Sequence, residues 1–205
     1  HALGNVAVFD TQARMGADKF TYALNQRLPE DIRIRASREV PSDFHPRKTD
    51  SVKTYEYHIL NEAFPNPLER LYSHFCYVPL DESRMQRAAQ YLAGEHDFQS
   101  FCSAGAQVES TVRTIYECSV RREGTKLTIR IQGNGFLYNM VRIIAGTLME
   151  VGRGKYPPET VRDILEAKDR RAAGPTAPAR GLILVSYEFP VLKECAAGAW
   201  PGCDV

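Results

Sequence analysis

TIYECSVRREGTKLTIRIQ, residues 114 to 132, alternates apolar and polar positions on both sides of a short glycine-containing connection. Thr114 to Val120 and Lys126 to Gln132 read as the arms of an antiparallel hairpin, with Arg121 to Thr125 as the connection and Gly124 supplying the turn. In the second arm Leu127, Ile129 and Ile131 share one face, and Lys126, Thr128, Arg130 and Gln132 share the other. One side therefore packs on a core while the other carries charge.

Outward from the hairpin, Thr54 to Leu60 alternates with Tyr55, Tyr57 and Ile59 on one face, and Leu182 to Phe189 is a last strand closed by Pro190. Asp81 caps a helix whose Met85, Ala88, Ala89 and Leu92 follow helical spacing up to Gly94. Further helices are expected over Leu137 to Val151 and over Pro157 to Lys168, the latter with proline at its first position. Near the start, Asn5 to Phe9 reads as a strand, Ala17 to Leu28 as a helix and Asp31 to Ala36 as a strand. Gly94 to Phe98 and Gly174 to Leu182 read as loops, and Val191 to Val205 as a weakly ordered tail. Hairpin-spaced strands with packing helices predict an α+β fold: a mainly antiparallel sheet with helices on one face. A boundary in the turn-rich stretch around Pro65 and Pro67 divides the chain into 1–60, 61–190 and the tail 191–205.

Composition narrows the function. The chain has 205 residues, 43% of them hydrophobic and 25% charged, which excludes disorder, and no apolar run is long enough for a membrane span. Five cysteines without a C-x-x-C pair oppose a disulfide framework and a zinc site and point to the reducing cytosol. The net charge of +1 conceals a segregation: Arg113 to Lys155 holds eight basic residues against three acids, leaving the remainder at −4. Such a chain can present one positive face. No nucleophile elbow or P-loop is present. His96, between Glu95 and Asp97, heads the best candidate metal cluster, but adjacent side chains on an extended segment diverge, so no metal is expected.

GNGFLYNMVRIIAGTLMEVG, residues 133 to 152, is the most informative stretch for chemistry. Leu137, Met140, Val141, Ile144 and Leu148 form an apolar stripe, and Ile143, Ala145 and Met149 extend it around most of the helix. Arg142 lies off the stripe beside Tyr138, and none of its helical neighbours is an acid. Either Arg142 reaches solvent at the helix edge, or it anchors a carboxylate or phosphate from elsewhere, because an unpaired buried charge is costly. Tyr55 is open to two readings, a core aromatic or a platform for an extruded base.

Together KTYEY (53–57), GEHDFQSF (94–101), NGFLYNMVRIIAGTLMEVG (134–152) and AKDRRAAGPTAPARGL (167–182) resemble the tRNA pseudouridine synthase A family, in order and over nearly the whole chain up to about Pro190. The resemblance implies two ferredoxin-like halves around the sheet, the first incomplete here, and an isomerase that converts uridine to pseudouridine in the anticodon stem-loop of tRNA, at about positions 38 to 40. It implies no cofactor and no metal, tRNA as partner, a homodimer and a cytoplasmic location. Tyr55 matches the base-stacking tyrosine and Arg142 the basic residue that pairs with the nucleophilic aspartate. Phe44, His45 and Arg47 match a segment near the RNA, with Pro46 where a small residue is usual. The family carries its aspartate in R-T-D-x-G-V-H-A, and His1-Ala2 match only the end of that stretch. The aspartate is therefore expected upstream of His1, and residues 1–205 alone are expected to be inactive. The alternative is a non-catalytic RNA-binding fragment or inactive homologue.

Overall fold

Leu127, Ile129 and Ile131 are completely buried while Thr128, Arg130 and Gln132 between them are half-exposed, and this alternation organises the sheet. The computed structural model describes residues 1–194 except Ala104, Ala106 and Gln107. Among them two compact units separate, one of residues 1–5 with the chain from 50 onward, the other of residues 6–49.

In the larger unit the order is β1 (Val52–Leu60), β2 (His74–Phe75), α2 (Glu82–Gln90), β3 (Gly94–Asp97), β4 (Val112–Glu123), β5 (Lys126–Gly133), α3 (Met140–Gly152), α4 (Thr160–Ala167), β6 (Leu182–Glu188) and α5 (Pro190–Glu194); α1 (Lys19–Asn25) belongs to the smaller unit. The fold is α+β. The sheet runs β2-β1-β5-β4-β3, with β6 also on β1, and every pairing except β1 with β2 is antiparallel. β4 and β5 form the hairpin, extended beyond its expected ends to a turn with Gly124 at φ 59°, a conformation that favours glycine. The Asp81 carboxylate caps α2 at the Arg84 amide (3.0 Å), and Met85, Ala88, Ala89 and Leu92 are buried with α3 against Tyr57, Ile59 and the β5 face.

The sheet's other face carries paired polar groups across β1 and β5. The Glu56 carboxylate accepts from Arg130 Nη1 (2.8 Å) and meets His58 Nε2 (2.9 Å), and Gln132 donates to Thr54 Oγ1 (3.1 Å).

Several expectations are corrected. Asn5 to Phe9 forms no strand; the nearby pairing is a single bridge from Ala2 to Leu184. Asp31 to Ala36 is not a strand either, because the Asn25 side-chain amide takes both backbone groups of Ile34 (2.8 Å each), the groups a ladder would use. GEHD is a strand rather than a loop, paired with β4. α3 starts at Met140, not Leu137, because Asn139 adopts a left-handed conformation at φ 60°. α4 starts at Thr160, leaving Pro157 and Pro158 in the preceding turn. The first four residues of the expected tail, 191–194, are helical, and the rest lies outside the described residues. No helix among the described residues is long and apolar enough to cross a membrane.

Burial pushes the Glu56 carboxyl up, but hydrogen bonds from His58 and Arg130 outweigh it and hold the group below the usual carboxylate range. A carboxyl lowered on folding stabilises the fold above its unfolded value, and that contribution is lost as pH falls through the lowered one. Glu56→Gln should therefore cost ~0.5–1 kcal/mol in urea unfolding at neutral pH, with the gap to the parent closing in acid. A gap that widens on acidification would contradict the assignment.

Candidate active site

Every residue of α3 is buried except Arg142. Its Nε donates to the Ala177 carbonyl (2.7 Å) and Nη1 to Asn139 Oδ1 (3.0 Å), while the Ala177 amide donates back to the Arg142 carbonyl (3.0 Å). Among the described residues Arg142 forms no ion pair. Glu150 on the same helix shows the contrast: its carboxylate is 8% exposed and bridges Arg153 (2.7 Å) and Lys155 (2.8 Å). Charge is matched locally at one end of α3, and at the other a guanidinium rests on neutral oxygens. Its fork carries more donors than those two bonds use, and the spare ones suit a planar anion.

The segment that meets Arg142 is the glycine-rich stretch before β6. Arg170 braces it from within, donating to the Gly174 carbonyl (3.0 Å) and Thr176 Oγ1 (3.1 Å). The Gly174 amide donates to Thr147 Oγ1 (3.0 Å), whose hydroxyl donates to the Ile143 carbonyl (2.8 Å). A Cβ at Gly174 would stand 2.7 Å from Thr147 Cα, and one at Gly146 would overlap the Pro175 carbonyl. These glycines let the loop backbone lie directly on α3. A small cavity of about 120 Å³ opens between them, bounded by His74, Glu150, Arg153 and Pro175 to Pro178.

From the sheet side, Tyr57 is wholly buried and its hydroxyl donates to the Pro178 carbonyl (2.8 Å). Burial raises its phenol well above the ordinary range, against the opposing pull of the Arg142 and Arg180 charges. Tyr55 is half-buried, packed edge-on against Phe136 with ring centroids 5.2 Å apart, and burial together with Tyr187 raises its phenol. Tyr57, for which the sequence alone suggests no role beyond its place on the strand face it shares with Tyr55 and Ile59, is thus bound to the loop one peptide from the contact of Arg142, while Tyr55 lies two residues along the same strand. In the smaller unit the Phe44 amide closes one turn onto the Pro41 carbonyl (3.0 Å), and His45 and Arg47 lie in the next, in which the His45 carbonyl accepts from the Lys48 and Thr49 amides (2.9 Å each) and the Arg47 amide donates to His45 Nδ1 (3.2 Å).

The chain's first residues run parallel to β6: the Leu184 amide donates to the His1 carbonyl (3.0 Å) and the Leu3 amide to the Leu184 carbonyl (2.8 Å). Leu182, where β6 begins, is the register partner of Tyr57. His96 and Asp97 are engaged apart, His96 with the Ala93 carbonyl (2.9 Å) and Asp97 with Thr111 (2.5 Å) and Lys168 (3.1 Å). Among the described residues no three His, Cys, Asp or Glu side chains cluster as metal ligands.

A family model described as tRNA pseudouridine synthase matches residues 88–190. The chain is 49% identical over 183 residues to a tRNA pseudouridine synthase A of Halalkalibacterium halodurans, covering 89% of this chain and 70% of that protein. It is 50% identical over 184 residues to the protein of that name from Brevibacillus brevis, covering 90% and 75%. With that from Acetivibrio thermocellus the figures are 49% over 189 residues, 92% and 78%.

Gly174→Ala should lift the loop from α3 and cost ~1–3 kcal/mol in chemical denaturation, since the atoms in its way are helix backbone. A variant as stable as the parent would show that the loop does not depend on this contact.

Proposed function

The chain belongs to the tRNA pseudouridine synthase A family, and from that premise we propose that Arg142 pairs with the carboxylate that performs the isomerisation, within the anticodon stem-loop at about positions 38 to 40. The enzyme is an isomerase of tRNA uridines. In that reaction the bond from ring N1 to the sugar C1′ breaks, a bond from C5 to C1′ forms, C5 gives up its proton and N1 gains one. Nothing is oxidised or reduced, so the protein has to extrude the base, hold it dry and supply a carboxylate.

The observation that carries the reading is Arg142: a guanidinium on an otherwise buried helix, oriented by two neutral oxygens, with donors to spare and in no ion pair among the described residues. A carboxylate contributed from ahead of His1 would enter along β6 beside Leu182, on the register of Tyr57. Tyr55 is the stacking platform for the extruded uracil, and Phe44, His45 and Arg47 contact the RNA. The same reading carries two ferredoxin-like halves and a cytoplasmic homodimer whose subunits share one tRNA; sedimentation in solution tests the dimer. The rival, binding without turnover, would be favoured by tight tRNA association with no pseudouridine formed by the complete gene product.

In the complete gene product Tyr55→Leu should abolish turnover yet leave most tRNA affinity, because one stacked base is worth only ~1–3 kcal/mol of the interface. Arg142→Ala should lower activity and stability together, by stranding its acid. Parental pseudouridine yield from either variant, or turnover by residues 1–205 alone, would contradict the proposal.

A further inference from the structure

We infer that Tyr57 is a positioning residue for the reaction: through its hydroxyl on the Pro178 carbonyl it fixes the loop that in turn holds the Arg142 guanidinium. The inference rests on the reading of Arg142 given above and adds a residue to it.

The geometry is a clamp on successive peptide units. The Ala177 carbonyl accepts from Arg142 Nε on α3 (2.7 Å), and the next carbonyl, that of Pro178, accepts from the Tyr57 hydroxyl on β1 (2.8 Å). The Ala177 amide closes the first contact into a reciprocal pair through the Arg142 carbonyl (3.0 Å). Helix and sheet therefore grip the loop at adjacent points. The same tyrosine ring fixes the chain further on: a Cβ at Gly181 would stand 2.9 Å from Tyr57 Cζ and 2.7 Å from the His58 carbonyl, so the loop rests against the ring as it turns into β6.

Packing alone does not call for a hydroxyl here. Tyr57 has no exposed surface and lies in the apolar core, where a phenylalanine of the same shape avoids burying a polar group. The hydroxyl is tolerated because it is satisfied, and its acceptor is one peptide from the oxygen that orients Arg142. Without it, the Pro178 carbonyl loses its sheet-side donor, and the loop keeps its helix-side contacts: Gly174 to Thr147, and Ala177 to Arg142. The loop stays docked while its grip on the guanidinium slackens. This predicts an effect on the chemical step rather than on tRNA binding, since preorganisation of a charged group is felt where charge develops.

The test compares Tyr57→Phe, Arg142→Lys and the double variant of the complete gene product, by steady-state and single-turnover kinetics on tRNA and by solvent exchange of the Arg142 Nε–H in nitrogen-15 NMR, the signal being identified by its loss in Arg142→Lys. Tyr57→Phe should lower kcat about tenfold with KM within about twofold, and the Arg142 Nε–H should exchange about tenfold faster. In the Arg142→Lys background the same change should have almost no further effect on kcat. An unchanged exchange rate, an unchanged kcat, or an equal loss in both backgrounds overturns the inference and leaves the role of Arg142 standing. Parental turnover in Arg142→Lys instead removes Arg142 from the reaction, and the inference falls with it.

Discussion

The contact on which the site depends is the reciprocal pair between Arg142 and Ala177, which ties the segment before β6 to α3 by side chain and backbone at once. Gly146 and Gly174 make it geometrically available, because any larger residue would separate the two backbones. Once the loop is docked, its carbonyls point at the helix and the sheet, and β6 follows from it directly onto β1. Loop, helix and central strand are in this sense one element of structure, and the stretch AKDRRAAGPTAPARGL, residues 167–182, is the part of the chain that makes them so.

The electrostatics of α3 explain why an arginine serves at this position. Glu150 is nearly buried and takes two cations within reach, so the helix can house a charge when it is matched. Arg142 is aligned by oxygens that carry no charge, which orient the guanidinium without neutralising it. A carboxylate lying against it would be held in its charged form and in a fixed direction, both useful to a group that must act on an extruded uridine.

Much of the architecture was legible because the deciding signals are local. Alternation in 114–132 and in β1, and the Asp81 cap with Met85, Ala88 and Ala89, act within one strand or helix, and those elements form as expected, although α2 stops at Gln90, short of Leu92 and Gly94. The misplaced elements needed information from elsewhere in the chain. GEHD is a strand only because β4 lies beside it, and the alternation of 31–36 comes to nothing because the Asn25 amide captures Ile34. At the site, the isolation of Arg142 from acids on its own helix could be read from spacing. That its partners are Asn139 and the Ala177 carbonyl could not, nor that Tyr57 bonds the next carbonyl of the same loop, since these depend on a loop whose path is set by contacts of missing Cβ atoms. Gly146 inside a helix and Gly174 in the loop were the available hints.

The most direct measurement is a crystal structure of the complete gene product bound to an anticodon stem-loop. The account predicts an aspartate carboxylate within about 3 Å of the free edge of Arg142, with Ala177 and Asn139 still on the other donors and the uracil extruded beside it. An Arg142 that turns instead to an RNA phosphate, with the carboxylate elsewhere, would contradict it.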